Sequence, residues 1–202
     1  MTTIHREHIE WCDLWIRSAE RTRHPRALLI GDSICRAYYD AVERRLEGRV
    51  DCARVATSRF VSDPVYYREL ALVLDQCRFS VIHFNNGLHG WDYSEADYVD
   101  GLRTLVDFLR RSAPQATLIW ATSTPVHRAN DLSQFDPHHL RVIERNRLAA
   151  EVMASHAIVS NDLFQLALGK TAWFTQDGVH FLGDGNEQLA DQVAARIIQQ
   201  LA

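Results

Sequence analysis

The chain has no surplus of positive charge. Against 22 lysines and arginines stand 26 aspartates and glutamates, for a net charge of −4 and a pI near 6.2. That balance cannot neutralise a phosphate backbone along an extended face, which argues against nucleic acid as the main partner. The chain also lacks any CxxC pair. Its four cysteines, Cys12, Cys35, Cys52 and Cys77, show no zinc-ribbon spacing and fall in segments that read as helix or strand, so they are expected to be ordinary buried thiols. No run of about eighteen apolar residues occurs, and the opening "MTTIHREHIEWCDLWIRSAERTRHP" is charged throughout, with no apolar core. Neither a membrane partner nor a secretory leader is expected, and the chain reads as cytoplasmic. There is no internal repeat, low-complexity tract or linker.

What is present fits one domain over residues 1–202, with 47% hydrophobic and 24% charged residues and length enough for a sizeable core. Five apolar runs recur between helical patterns: "ALLI" (27–30), "VDCARVA" (50–56), "FSVIHFN" (79–85), "ATLIWATS" (116–123) and "HAIVSN" (156–161). Such runs are what strands covered by helices on both faces look like. In the last helical stretch Leu189, Val193, Ile197 and Leu201 repeat every four residues and form one stripe. The alternation predicts an α/β fold, a three-layer doubly wound sandwich around a five-stranded parallel sheet, with functional loops at one edge. Residues 1–25 precede the pattern. Ile4, Trp11, Leu14 and Trp15 share a face at helical spacing, which predicts a helical extension packed across the sheet or against a second subunit, leaving a homo-oligomer open.

Two stretches carry chemistry. "RALLIGDSICRAYYDAVERRL" (26–46) runs from a buried strand into Gly31-Asp32-Ser33 and then a helix. This is either a plain turn with Asp32 or Ser33 as N-cap, or a nucleophile mounted at the carboxyl edge of the sheet. A serine hydroxyl needs a base within hydrogen-bond reach and a group that orients the base. "FTQDGVHFLGDG" supplies Asp177 and His180, three residues apart before the last helix. On a turn, the carboxylate can meet one imidazole nitrogen while the other faces a serine, the division of labour of a Ser-His-Asp triad. Asp32, Arg59, Trp91 and Thr124 lie in loops at the same edge and are candidate substrate contacts. His138 and His139, at a helix start, are expected at the surface.

These blocks resemble those of the SGNH, or GDSL-like, hydrolases, with Gly31-Asp32-Ser33 matching the nucleophile block and Asp177-Gly178-Val179-His180 the Asp-x-x-His block. The resemblance spans residues 26–202 in the same chain order. It implies a flavodoxin-like fold, the catalytic set Ser33, Asp177 and His180, no cofactor, and no metal. It also implies two middle blocks that line an oxyanion hole, and here the chain departs from the family. After the second strand the family has a glycine whose N–H joins the hole. "VATSRFVSDP" has none, and Ser58 is the nearest equivalent. After the third strand it has Gly-x-Asn-Asp, where this chain has "FNNGLHGW". Aligning on Gly87 puts His89 in the asparagine's place, and aligning on the asparagine selects Asn86. His89 is preferred, since Gly87 then keeps its place in the turn and an imidazole can also donate to an oxyanion.

The expected function is therefore a serine esterase that removes a short acyl group from a small-molecule or carbohydrate ester. The acetyl and sugar preferences follow from the resemblance alone. Two rivals remain: a non-catalytic carbohydrate-binding protein on the same fold, suggested by the altered oxyanion blocks, and a metal-dependent phosphoesterase, suggested by ten histidines and "GDGNE" (183–187). Against the latter, the one Asp-x-His, at Asp136 and His138, lies away from any strand end. An α/β-hydrolase is disfavoured because "GDSIC" lacks the second glycine of G-x-S-x-G.

Overall fold

The computed structural model describes residues 3–21 and 23–201. In chain order the elements are β1 (Cys12–Ile16), β2 (Arg26–Gly31), α1 (Ser33–Leu46), β3 (Asp51–Thr57), α2 (Pro64–Leu74), β4 (Val81–Phe84), α3 (Glu95–Ser112) and β5 (Thr117–Ala121). They continue with β6 (His127–Arg128), β7 (Asp131–Phe135), α4 (His139–Ser155), β8 (Val159–Asn161), α5 (Leu163–Ala167), a 3-10 turn (Thr171–Trp173) and α6 (Gly183–Gln199). The main sheet has the order β1-β3-β2-β4-β5-β8, and β6 with β7 forms a separate hairpin.

All five predicted strands are present and mutually parallel. The β2 run shows why they are apolar throughout: Ala27 and Leu29 enter the core on one face, Leu28 and Ile30 the core on the other, and all four are fully buried. Helices α1, α5 and α6 cover the first face, while α2, α3 and most of α4 cover the second. Leu189, Val193 and Ile197 of the predicted stripe are fully buried in the first core.

Two expectations are corrected. The sheet has six strands, not five, and the sixth comes from the segment read as a helix. β1 pairs antiparallel with β3, Cys12 opposite Thr57 through Ile16 opposite Ala53. The apolar residues that suggested a helical face are not covered: Ile4, Leu14 and Trp15 are exposed. With no apolar stripe to bury, a helix gains little, whereas the open edge of β3 offers a row of backbone donors and acceptors. Asp13 accepts both hydrogen bonds of an Arg54 nitrogen, at 2.9 and 3.1 Å, which ties the strand pair together. Cys35 and Cys52 are buried as expected, but Cys12, on the added strand, is exposed.

Among the parallel strands the order reverses between β2 and β4, which lie side by side. Ligand sites in open α/β sheets form at such a switch point, outside the carboxyl ends of the strands. The loops after β2 and β4 carry Gly31-Asp32-Ser33 and residues 85–90.

Candidate active site

Ser33 is placed by the junction of β2 and α1. A Cβ on Gly31 would sit 2.6 Å from the Cβ of Cys35, so only glycine lets the strand end this close to the first helical turn. Asp32 is the N-cap, its Oδ1 accepting from the Ile34 N–H at 2.9 Å. Ser33 is the first residue of α1, where a backbone N–H has no acceptor within the helix's own ladder. The N-cap reading of Asp32 and the nucleophile reading of Ser33 thus describe one turn.

The base comes from the loop before α6. His180 Nε2 lies 2.8 Å from Ser33 Oγ, and His180 Nδ1 lies 2.7 Å from Asp177 Oδ2. With an ionised Asp177, Nδ1 carries the proton and Nε2 presents its lone pair to the serine. The other Asp177 oxygen accepts from the Thr175 hydroxyl at 2.7 Å and from the N–H groups of Val179 and His180 at 2.8 and 2.9 Å. Burial opposes the charge, but these bonds and the one from the His180 ring outweigh it and hold the carboxyl well below the usual carboxylate range. Sequence reasoning found both ends of this dyad and missed Thr175.

It also missed the support beneath. The β6–β7 hairpin braces the loop from below: the His127 N–H donates to the Gly178 carbonyl and the Asn130 N–H to the Gln176 carbonyl, each at 2.8 Å. Within the hairpin Phe135 stacks on His127 and on His139, with ring centroids 4.9 and 3.7 Å apart. His139 is therefore buried, contrary to expectation, while His138 is exposed and bonded to Asp136 at 2.8 Å.

The oxyanion candidates separate sharply. Ser58 is already committed: its N–H donates to the Trp11 carbonyl at 3.1 Å, and its Oγ accepts from the Trp11 N–H and donates to Glu10. The edge pairing of β1 with β3 runs on through this residue, so the strand missed in the sequence takes the N–H assigned to an oxyanion. Asn86 is committed as well. Its amide clasps the 59–61 loop, accepting from the Val61 N–H at 3.2 Å and donating to the Arg59 carbonyl at 2.8 Å. His89 uses Nδ1 on Glu7 at 2.8 Å and, among the described residues, has no hydrogen-bond partner on Nε2.

The four candidate substrate contacts differ in their surroundings. Arg59 is held among Glu10, Asp63 and Glu69 at 3.3 to 3.6 Å. Asp32 and Thr124 are buried and line a cavity of about 10 Å³ at the strand ends. Asp32 Oδ2 and Thr124 Oγ1 have no hydrogen-bond partner among the described residues. Trp91 remains half-exposed and lines, with Leu88 and His89, a cleft of about 290 Å³. One further residue escaped sequence reasoning. Arg145 is fully buried and donates to the carbonyls of Gly87, His89 and Gly90 at 2.8 to 3.1 Å, so it holds the loop that carries His89. Among the described residues, no three His, Cys, Asp or Glu side chains are grouped to hold a metal ion.

No protein-family profile matches the chain, and no curated protein matches it in sequence. Solved structures do match its fold. A carbohydrate esterase family 3 protein from Talaromyces cellulolyticus superposes with a TM-score of 0.71 at 16% identity, over 87% of this chain and 97% of its own. An acetylxylan esterase from Geobacillus stearothermophilus gives 0.67 at 17%, over 86% and 94%. A GDSL-like lipase from Bacteroides thetaiotaomicron gives 0.68 at 12%, over 86% and 88%. The chain thus has the fold of the SGNH hydrolase structures, which its motifs resemble.

Proposed function

We propose that the protein is a serine esterase that removes a short acyl group, acetyl in preference, from a small or carbohydrate-like ester. The observation that carries this reading is the unbroken chain Ser33 Oγ, His180 Nε2, His180 Nδ1, Asp177 Oδ2, with links of 2.8 and 2.7 Å. A binding protein has no use for a serine whose proton is aimed at an oriented imidazole. The acetyl preference is supported by structural neighbours, among them acetylxylan esterases.

In this reading Ser33 Oγ attacks the ester carbonyl while His180 Nε2 takes its proton. The tetrahedral oxyanion is held by the Ser33 N–H and the His89 ring, and His180 returns the proton to the leaving alcohol. Water, deprotonated by His180, then releases the acid from Ser33. Asp177 keeps the imidazole in the required tautomer and stabilises its cation.

The test is a panel of nitrophenyl esters and acetylated sugars with mass detection of the acyl-enzyme. Ser33→Ala should lose several orders of magnitude in turnover with an unchanged circular dichroism spectrum. Unaltered turnover in that variant would end the esterase reading.

A further inference from the structure

The segment before β1 reaches over the carboxyl edge of the sheet and delivers a carboxylate to the oxyanion loop. Glu7 Oε1 lies 2.8 Å from His89 Nδ1. Around this contact the segment is pinned by further bonds. The His5 N–H donates to Tyr93 Oη at 2.8 Å, Arg6 pairs with Asp63 at 3.0 Å, Glu10 accepts from Ser58 Oγ at 2.7 Å, and the Trp11 N–H donates to Ser58 Oγ at 2.9 Å. The Trp11 ring stands edge-on to the His89 ring at 6.4 Å. Glu7 is thus a fixed partner of the imidazole.

This contact decides what His89 can do. If Nδ1–H is given to a carboxylate, a neutral imidazole has only a lone pair left on Nε2, which repels an oxyanion. Nε2 can donate only when the ring is doubly protonated. We propose that Glu7 is a positioning residue that keeps His89 as an imidazolium, so that the oxyanion is met by a cationic donor where the family's pattern has a neutral amide. The inference rests on the esterase reading above.

The surrounding charges agree with it. Burial opposes the charge on His89, but the hydrogen bond it donates to Glu7 and the negative charges of Asp32, Glu7 and Glu10 prevail and raise its pKa above the ordinary imidazole value. Burial likewise opposes the Glu7 carboxylate, and the His89 bond and charge prevail there too, lowering its pKa. Of the remaining charged groups nearby, Arg6 is paired with Asp63, and Arg145 of α4 donates to the His89 carbonyl. His5 and Asp92 line the same cleft, and Arg36 of α1 lies over the Trp11 ring. The sign follows: the donor is present below the raised pKa of His89 and is lost as pH rises through it. Turnover should therefore fall on the alkaline side for a reason separate from the triad.

The test combines two measurements on the full chain. The first follows the His89 ring nitrogens by 15N NMR against pH in the Ser33→Ala protein and needs no turnover. The ring should titrate above the ordinary imidazole value of about 6.5, with both nitrogens protonated below that point. Adding Glu7→Gln should move that titration down by about one pH unit or more. The second is the pH profile of kcat. Glu7→Gln should shift the alkaline limb down by a similar interval with little change in KM. His89→Gln, whose amide nitrogen reaches the place of Nε2, should abolish that limb and recover part of the turnover that His89→Ala loses, because an amide N–H donates at every pH. A His89 that titrates at or below the ordinary value, or coincident alkaline limbs in wild type and Glu7→Gln, overturns the proposal. Absence of hydrolysis on every ester, with a charged His89 by NMR, instead overturns the esterase reading.

Discussion

The Gly178 carbonyl accepts the His127 N–H at 2.8 Å, and a Cβ on Gly178 would overlap the His127 carbonyl. Gly178 also has a φ of +78°, a conformation that costs a residue with a side chain about 1–2 kcal/mol. The turn that brings Asp177 to His180 can therefore press against the β6–β7 hairpin only because position 178 is glycine. Gly178→Ala should shift the dyad away from Ser33. The expected outcome is a fall in kcat of tenfold or more, a lower melting temperature and little change in KM; unaltered kcat would show that the hairpin contact does not set the dyad.

The two candidates for the third-block oxyanion donor make opposite predictions. His89→Ala should lower kcat by about two to three orders of magnitude, the usual loss for one oxyanion donor, with a small effect on KM and on melting. Asn86→Ala should unclasp the 59–61 loop, leave a buried N–H and carbonyl unpaired and cost about 1–3 kcal/mol of stability. Its kcat should fall less. A crippled but fully stable Asn86→Ala protein would reverse the assignment.

Arg145 is a stability and positioning residue in one. Burial pushes its pKa down to about 10, so it stays charged at neutral pH while holding three loop carbonyls. Arg145→Ala should destabilise by about 3 kcal/mol or more, since it leaves the Gly87 and His89 carbonyls without donors, and should reduce kcat by displacing His89. Arg145→Lys keeps the charge but not the planar fork, and should recover stability only in part. Urea unfolding decides the matter: equal midpoints for wild type and Arg145→Lys would mean that charge alone suffices.

Acid should destabilise the fold before carboxylates begin to protonate. His83 is fully buried, its Nε2 3.0 Å from Asn161 Nδ2, and burial pushes its pKa down to about 3. Burial lowers His127 and His139 as well. Because the folded pKa is depressed, the unfolded chain binds protons that the folded chain refuses. Stability is thus complete above about pH 6.5 and is lost below it, at up to about 1.4 kcal/mol per pH unit per histidine. Denaturant melts of wild type and His83→Gln between pH 7 and pH 5 check this. The wild-type slope should be the steeper, and parallel slopes would remove His83 from the explanation.

The five parallel strands and the Ser33, Asp177 and His180 set were legible in the sequence because they depend on local signals. Apolar runs flanked by helical periodicity dictate a covered sheet, and a Gly-Asp-Ser strand end and an Asp-x-x-His turn each close over a few residues. The sixth strand was not legible. "CDLWI" has no strand periodicity strong enough to outweigh a helical reading, and it becomes a strand only because the edge of β3 supplies its hydrogen bonds. That one tertiary fact decides much of the rest. It consumes the Ser58 N–H and, by carrying the preceding segment across the carboxyl edge, brings Glu7 to a residue 82 positions away. Arg145 was invisible for the same reason: it is one of several arginines on α4, and only packing shows that it alone is fully buried, against the 87–90 loop. Local chemistry marked the serine, histidine and aspartate that the fold brings within hydrogen-bond reach. Long-range pairing, whose partners leave no trace in local composition, decided which donors remain free to help them.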